Sequence, residues 1–484
     1  MTHRQSDTLV MNLVPNLFLD TRKVATMKTM QTIEMLNHHR STLKGGGKIV
    51  IIDPGAVLSA EALAMLQALH SRSTGGVDEH LKVLAEKGAD KFMSTHYVGY
   101  GHKSIGDCGT AVVFIEGVSM LAAKAIQDSK LYNGQEASTR YIDFAAQLFL
   151  NPLDSTEGTT VLEHWRTFYL KAVTEMKAAL PARYPIQEGE KEVTYNKAIA
   201  ARAFDICRGF LPAGASTNLA WSGTLRQFAD RVQQLRHHPL PEVQDIANVL
   251  EDALIATYPN SFDKEKKRYE ATERYYIEET TARYYYHNPD SPDMALVRDG
   301  VDKVALTPYH DLLANRPPKT ELPKWLGVYG EAAFAFTLDF GSFRDIQRHR
   351  AVTQRMPLLT AELGFNEWYL SQLTPTLRAE AKDLVASQAA VIAELTDDTA
   401  MRQYYLPMGY NISNYLAGDL PALVYLLELR ATSMVHPTLS ARAVQMAEIL
   451  TDNYGKLGLV LHLDPDPGRF NVKRGEHDIV KRPD

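Results

Sequence analysis

The most distinctive charged segment of the chain is Arg348-His349-Arg350, which ends an apolar stretch and has Arg344 one helical turn before it. On a helix Arg344 and Arg348 share a face, whereas in an extended segment Arg348 and Arg350 do. Either geometry gathers guanidinium groups that can bind phosphate oxygens in pairs. Clustered charge is more often a solvated surface, but these arginines follow a nearly uncharged run, where guanidinium groups need partners. The segment therefore predicts a site for a phosphate-bearing ligand.

A second polar segment, Asn133–Tyr141, is rich in hydrogen-bond donors and acceptors. Ser138 and Arg140 could bind a phosphate, while Gln135 and Glu136 could bind the amide-like edge of a base. We therefore expect this segment to contribute to a nucleotide site.

The elements around these segments occur twice. Phe114–Gln127 aligns without gaps with Phe334–Gln347, and in both an apolar strand passes into a short helix that ends at Ile-Gln. In each half a Leu-Pro pair is also followed, after a similar distance, by an arginine late in an apolar helix; these arginines are Arg236 and Arg430. Internal repetition of this kind predicts a duplicated fold.

The two copies differ in their chemistry. Where the second copy has Arg348-His349-Arg350, the first has Asp128-Ser129-Lys130, and where the first has its polar run, the second has the largely apolar Gln354–Thr360. Each half thus keeps what the other has lost. We predict composite sites where the copies meet.

Local signals give the elements that must position these residues. Gly and Pro breaks, capping residues and apolar periodicity predict buried strands at Lys48–Ile52 and Ala111–Ile115. The same signals predict a helix at 60–72 that is capped by Ser59 and a helix at 120–127 that is capped by Ser119. Further helices are predicted at residues 78–88, 161–179, 193–209, 225–236 and 242–256. The Pro-containing stretch Asn288–Asp293 is the best candidate for a boundary, and the tyrosines before it are predicted to pack at an interface.

Length and composition limit the alternatives. The 484 residues carry a net charge of −6 and two cysteines, with 45% hydrophobic residues. This balance excludes a disordered chain and gives no basic footprint for nucleic acid. The cysteines suit a reducing, cytoplasmic compartment and lack the spacing of metal ligands, so we expect no metal. No apolar run is long enough to cross a membrane, and the N-terminal segment lacks the apolar centre of a secretory signal, although a transit peptide stays open.

The sequence resembles the flavin-dependent thymidylate synthases, also called thymidylate synthase complementing proteins. The resemblance rests on an ordered set of motifs: Gly101-His102-Lys103-Ser104, the strand and helix, the Gln135–Tyr141 run, Arg208 before Leu-Pro, and the Arg-His-Arg triplet. The resemblance covers about residues 50–256 once and about 325–455 more weakly. It implies a mixed α/β fold present as two tandem copies, at residues 50–287 and 288–484, after an extension at 1–49. In that fold each copy would be a mixed sheet with packed helices.

The resemblance also implies an activity and its partners. The family transfers a one-carbon unit from methylenetetrahydrofolate to C5 of dUMP, with FAD as cofactor and NADPH as reductant, and it forms homotetramers. A homodimer of this chain would then act as a pseudo-tetramer on a small nucleotide, with no nucleic acid or membrane as partner. The positions that match are Arg236 and Arg430 for polarising the pyrimidine, Glu136, Ser138, Arg140, Arg208 and Arg348 for the nucleotide, and His102, Ser104, Gln135, Arg348, His349 and Arg350 for the flavin.

The sequence departs from the family pattern at three kinds of position. The glutamine expected three residues before the triplet is Asp345, and it is Ala125 in the first copy. The Asn-x-Arg expected at the start of the last helix is absent from both copies, and Gln403 replaces the second copy's equivalent of Arg208. These departures favour an alternative: a protein that binds nucleotides without flavin chemistry, or that acts on them differently.

Overall fold

The computed structural model describes residues 38–52, 59–70, 83–84, 86, 89–90, 93–94, 103–139, 142–262, 271–318 and 320–464. Strands of the first half are β1 (His38–Thr42), β2 (Lys48–Ile52), β3 (Thr110–Ser119), β4 (Asn133–Glu136) and β5 (Ser216–Thr224). Its helices are α1 (Ala60–His70), α2 (Lys103–Gly106), α3 (Met120–Gln127), α4 (Thr156–Arg183), α5 (Glu192–Cys207), α6 (Leu225–Leu235) and α7 (Pro241–Thr257). A short 3-10 turn, Arg208–Phe210, follows α5.

A connecting segment holds α8 (Ala271–Ala282) and β6 (Tyr285–Tyr286). Strands of the second half are β7 (Met294–Asp299), β8 (Glu331–Asp339), β9 (Thr353–Gln354), β10 (Met356–Pro357) and β11 (Asn411–Asp419). Its helices are α9 (Lys303–Leu306), α10 (His310–Ala314), α11 (Phe340–Ile346), α12 (Glu367–Gln372), α13 (Pro375–Leu395), α14 (Thr399–Arg402), α15 (Leu420–Arg430) and α16 (Pro437–Tyr454). The turns Thr307–Tyr309, Lys324–Tyr329, Gln403–Tyr405 and Gly455–Leu457 are 3-10 helices.

Each half has its own sheet. The first has the strand order β1-β2-β3-β5-β4 and the second the order β7-β8-β11-β9, while β10 and β6 form a separate two-stranded pair. The mixed α/β class is confirmed, but both larger sheets are antiparallel throughout, whereas each copy was expected to hold a mixed sheet. Only the short β10-β6 pair among the described ladders is parallel.

Most predicted elements lie where the local signals put them. Ser59 accepts from Ala62 N at the start of α1, and Ser119 accepts from Ala122 N at the start of α3, as capping residues do. The strand predicted at Ala111–Ile115 is longer, because Gly117, with φ +69°, allows a β-bulge instead of ending the strand. The helix predicted at 78–88 lies largely outside the described residues.

The order of elements recurs in the two halves. β3 leads into α3 and β8 into α11, each through an N-cap residue, Ser119 or Asp339. In both halves a 3-10 turn precedes the next strand and helix, which are β5 and α6 or β11 and α15. The tandem duplication itself stays a prediction, but this recurrence fixes which residues of the two halves occupy corresponding positions.

The Leu-Pro segments that the sequence paired as equivalents contact each other. Ala213 N donates to Leu406 O at 2.9 Å, and Met408 N donates to Leu211 O at the same distance. Gly409 N donates to Gly209 O at 2.7 Å, and a Cβ at Gly409 would lie 2.4 Å from the Phe365 ring. The halves are therefore joined backbone to backbone at a point too crowded for a side chain, and one apolar core extends through both.

Candidate functional site

A cavity of about 460 Å³ opens between the two halves. The first half contributes the end of β4, the residues that follow it and the 3-10 turn after α5. The second half contributes α11, Arg348 just beyond it, the end of α15 and the loop before α16. Its lining residues are Gln135, Glu136, Ala137, Ser138, Thr139, Arg208, Gly341, Arg344, Asp345, Arg348, Arg430, Met434, Val435 and His436. The predicted meeting of the first copy's polar run with the second copy's arginines is thus found within one chain.

One wall of the cavity is set by the Glu136 carboxylate, whose side chain is 3% exposed. It forms an ion pair with Lys124, whose Nζ lies 2.7 Å away, and it accepts a 2.9 Å hydrogen bond from Gln127 Nε2. It also accepts a hydrogen bond from Arg344 of the other half. Burial alone would raise the pKa of Glu136, but the charges of Arg344 and Lys124 outweigh it and lower the pKa to about 2. Burial lowers the pKa of Lys124 to about 8, so all three groups are charged at neutral pH. Glu136 therefore positions Arg344 and has little freedom to bind a base.

Arg208 also lines the cavity and is bonded to a buried polar cluster. Its Nη2 donates to Ser342 Oγ at 3.1 Å, and Ser342 Oγ lies 2.7 Å from Thr438 Oγ1. His436 Nδ1 lies 2.8 Å from the same threonine hydroxyl, and burial together with Arg208 keeps the pKa of His436 well below its usual value. The Nε atom of Arg208 is buried without a hydrogen-bond partner in the described chain. This arginine is therefore fixed in place with donor capacity still unused.

Asp345 stands among the arginines. Its carboxylate lies 3.6 Å from Arg348 Nη2 and 4.0 Å from Arg208 Nη1. Burial would raise the pKa of Asp345, but Arg208, Arg348 and Arg430 hold it below its usual value. Arg348 is 53% exposed and so faces the cavity mouth. With Glu136 occupied by Arg344 and Lys124, Asp345 is the cavity-lining carboxylate left to balance the remaining three arginines, so a phosphate dianion would meet a net positive field.

Arg430 is held by the histidine of the triplet. Its Nε donates to His349 Nε2 at 2.7 Å, which requires the neutral imidazole. Burial and then Arg430 lower the pKa of His349 to about 3, in agreement with that assignment. Arg430 lines the cavity, and within the described chain the hydrogen bond found for its guanidinium group is the one from Nε to His349. Arg430 is therefore oriented from behind and free to donate to a ligand.

The triplet is divided between two openings. Arg348 lines the large cavity, while His349 and Arg350 line a smaller cleft of about 170 Å³ with Lys130 and Thr353. Arg350 Nη1 donates to Asn133 Oδ1 at 3.1 Å. His349 and Arg350 are thus engaged with the other half or with Arg430 and do not reach the large cavity.

The remaining predicted site residues separate clearly. Gln135 and Ser138 line the cavity. Arg236 does not; its Nη1 forms a 2.7 Å ion pair with Glu251, and its side chain is 6% exposed. Ser104 lies in α2 and lines neither opening. His102 and Arg140 lie outside the described residues.

Some cavity residues gave little signal in the sequence. Lys124 and Arg344 occupy corresponding positions of the two copies, and this repetition could have indicated that both charges face one partner. Ser342, His436 and Thr438 are single polar residues in apolar surroundings, and only the fold brings them to Arg208. Among the described residues, no group of three histidine, cysteine or acidic side chains could hold a metal ion, and no helix is long and apolar enough to cross a membrane.

Comparison with known proteins agrees with the first copy's motifs. Residues 57–260 match the profile of the thymidylate synthase complementing protein family. A UPF0159 protein of Chlamydia muridarum is 26% identical, in an alignment that covers 81% of this chain and 85% of that protein. A UPF0159 protein of Thermoplasma acidophilum is 23% identical over 82% of this chain and 93% of its own. These alignments extend well beyond residues 57–260, so these relatives also share sequence with the rest of the chain.

The Glu136 ion pairs predict an acid-sensitive join between the halves. Because the folded pKa of Glu136 is depressed, its contribution of about 3 kcal/mol is fully present above pH ~4.5 and is lost as the pH falls toward 2. In Glu136→Gln, we expect a lower free energy of unfolding at pH 7 and a gap from wild type that narrows steadily below pH ~4.5 and closes only below pH ~2. Urea unfolding at pH 7, 5, 4 and 3 measures the gap. A pH-independent gap would contradict the assignment.

Proposed function

We propose, from the match of residues 57–260 to the thymidylate synthase complementing protein family, that this chain is a thymidylate synthase-like transferase whose large cavity binds a pyrimidine nucleoside monophosphate, dUMP in the first place. The observation that carries the proposal is the convergence of Arg208 from one half with Arg348 and Arg430 from the other around a cavity of about 460 Å³. Cavities of this size hold ligands as large as a mononucleotide. The family match supports the class of reaction, and the arginines of the cavity support a nucleotide as the ligand.

The phosphate is best placed between Arg208 and Arg348. Both guanidinium groups flank Asp345, and both have a geometry suited to paired bonds with phosphate oxygens. Ser138 lines the same region and offers a hydroxyl group. Asp345 reduces the local positive charge, so it is expected to weaken phosphate binding. In the absence of a ligand, the same carboxylate offsets the repulsion between the partly buried arginines.

Arg430 is the residue best placed to act on the base. Addition of a one-carbon unit at C5 of a uracil ring develops negative charge toward the ring carbonyls, and a fixed cationic donor stabilises that charge. His349 holds Arg430 by its Nε, which leaves the terminal nitrogens for a carbonyl oxygen. Arg236, the alternative helix arginine, is engaged by Glu251 and lies outside the cavity.

The described residues provide no cysteine nucleophile in the cavity. Cys207 is fully buried, and burial raises the pKa of its thiol well above the usual value. Cys108 lies beside α2 and donates to Ser104 O. This arrangement suits a reaction that needs no protein nucleophile, in which a bound carrier delivers the one-carbon unit. The family resemblance implies methylenetetrahydrofolate as the carbon donor, FAD as the carrier and NADPH as the source of reducing equivalents.

The residues assigned to the flavin fit that cofactor less well than the arginines fit a nucleotide. Of the assigned positions that the structure describes, Gln135 and Arg348 line the large cavity, whereas His349, Arg350 and Ser104 do not. His349 is bonded to Arg430 and Arg350 to Asn133. We therefore assign no step of the reaction to a flavin. This mismatch favours the second candidate function, a nucleotide-binding protein without flavin chemistry.

Nucleotide binding tests the site directly. We expect dUMP to bind at least ten times more tightly than deoxyuridine, because about 1.4 kcal/mol of phosphate contact is enough for that ratio. Arg348→Ala should weaken dUMP binding and Asp345→Asn should strengthen it, since each changes the cavity charge in the opposite direction. Isothermal titration calorimetry measures both. The control is Arg298→Ala. Arg298 is an exposed arginine on β7 that pairs with Glu331 of β8. Equal affinity for dUMP and deoxyuridine would contradict the proposal.

Flavin uptake separates the two candidate functions. If the chain is a flavin-dependent transferase, added FAD should produce a bound visible spectrum that NADPH bleaches and dUMP perturbs. If it binds nucleotides only, dUMP should bind while the FAD spectrum stays that of the free cofactor. Absorbance after gel filtration, with calorimetry on the same sample, distinguishes these outcomes. Absence of both signals would contradict both functions.

We propose that the homodimer suggested by the family resemblance does not share these arginines between chains, because Arg208 and Arg348 of one chain already face the same cavity. In a heterodimer of Arg208→Ala and Arg348→Ala chains, both cavities would then carry one defect. Co-purified chains with different tags should therefore bind dUMP as weakly as the single variants. Recovery of wild-type affinity in half of the sites would show that the cavity is shared between chains.

A further inference from the structure

The recurrence of elements defines a position in the molecule that corresponds to the large cavity with the two halves exchanged. Aligning α3 with α11 places Asp128 where the second half has Arg348, and aligning the 3-10 turns places Gln403 where the first half has Arg208. Aligning α6 with α15 places Leu235 where the second half has Arg430, so Arg236, which the sequence paired with Arg430, lies one residue further on and is bound to Glu251. The corresponding position has thus lost each of the three arginines proposed to bind the nucleotide.

This corresponding position is filled by the connecting segment. β6, which is Tyr285–Tyr286, pairs in parallel with β10, the part of the second half that matches the polar run lining the large cavity. Leu358 N donates to Tyr286 O at 2.9 Å, which extends this pairing. The segment therefore lies alongside the wall that would otherwise face a ligand.

The side chains of Tyr284 and Tyr285 occupy the interior. The ring centroids of Tyr284 and Tyr285 lie 4.7 Å and 6.0 Å from that of His238, and 5.1 Å from each other. The Tyr284 hydroxyl lies beside Asp128, which together with burial raises the pKa of Tyr284. The Tyr285 hydroxyl faces Gln403, whose Oε1 accepts from Leu359 N at 3.0 Å. Both tyrosine oxygens are buried, so the two rings reach the residues that replace the arginines.

We infer that Tyr284 and Tyr285 are a built-in occupant of this second cavity, which closes it and leaves each chain with one ligand site. The two rings lie beside Asp128 and Gln403, which stand where the open cavity has Arg348 and Arg208. Arg231 is a cation near Asp128 and Tyr284, and its Nη2 donates to the backbone oxygen of Ala125. The closure is independent of the proposed function, whereas the number of nucleotides bound per chain rests on it.

The experiment removes the occupant and replaces it with a free phenol. We expect Tyr284→Ala/Tyr285→Ala to unfold several degrees below wild type and to be restabilised by 4-methylphenol, whose ring and hydroxyl copy the lost side chain. Wild type and Tyr284→Phe/Tyr285→Phe should not respond, since both keep the rings in place. Tyr275→Ala/Tyr276→Ala, at two tyrosines that are 64% and 69% exposed on α8, is the matched control. If the double alanine variant does not fold, Tyr284→Ala alone is measured in the same way.

Two results would overturn the inference. One is a double alanine variant that unfolds with the control and ignores 4-methylphenol. The other is calorimetry that finds two dUMP molecules per wild-type chain, where one is expected. If dUMP does not bind at all, the proposed function fails, and the response to 4-methylphenol still decides whether the second cavity is closed by these tyrosines.

Discussion

The site depends on a single buried carboxylate that receives a cation from each half of the chain. Glu136 is bonded to Lys124 in its own half and to Arg344 in the other, and its side chain is 3% exposed. Each of these charges would be costly to bury alone, and together they satisfy one another. The bond between Glu136 and Arg344 therefore joins the end of β4 to α11 and fixes the register in which they meet. That register is what places Ser138 and Arg348 on the same cavity.

The second join between the halves has no charge at all. The Leu-Pro segments bond through their backbones where Gly209 and Gly409 leave no room for a side chain. This join is nearly symmetric, because the bonds run in both directions between corresponding residues. Symmetric backbone contact combined with asymmetric side chains explains how one chain can present an open cavity on one side and a filled one on the other. At the closed position Gln403 and Leu235 stand where the open cavity has Arg208 and Arg430, and the rings of Tyr284 and Tyr285 pack there.

Local physical signals were sufficient for most elements but not for the sheets. The helices α3 and α6 and the strand β2 follow from capping residues, breaks and apolar periodicity, which act over a few residues. The strands β5 and β11 carry mixed polar and apolar residues, and their place in the sheets depends on partners far away in the chain. The site divided in the same way. Residue type and repetition singled out Arg348, Ser138 and Arg430, and the family resemblance singled out Arg208; all four line the large cavity. The sequence did not predict that Arg236 pairs with Glu251 outside the cavity or that His349 bonds Arg430, because both depend on tertiary contacts.

Asp345 shows why a charge that opposes a ligand can still be retained beside its site. Arg208, Arg348 and Arg430 lie close together, and in an empty cavity their mutual repulsion would be costly without a counter-ion. Asp345 supplies that counter-ion within 3.6 Å of Arg348 and 4.0 Å of Arg208. When a phosphate arrives, it competes with the carboxylate for the same guanidinium groups, so part of its binding energy is used to displace an existing interaction. A residue of this kind lowers affinity, yet it holds Arg208 and Arg348 beside one carboxylate before any ligand is bound.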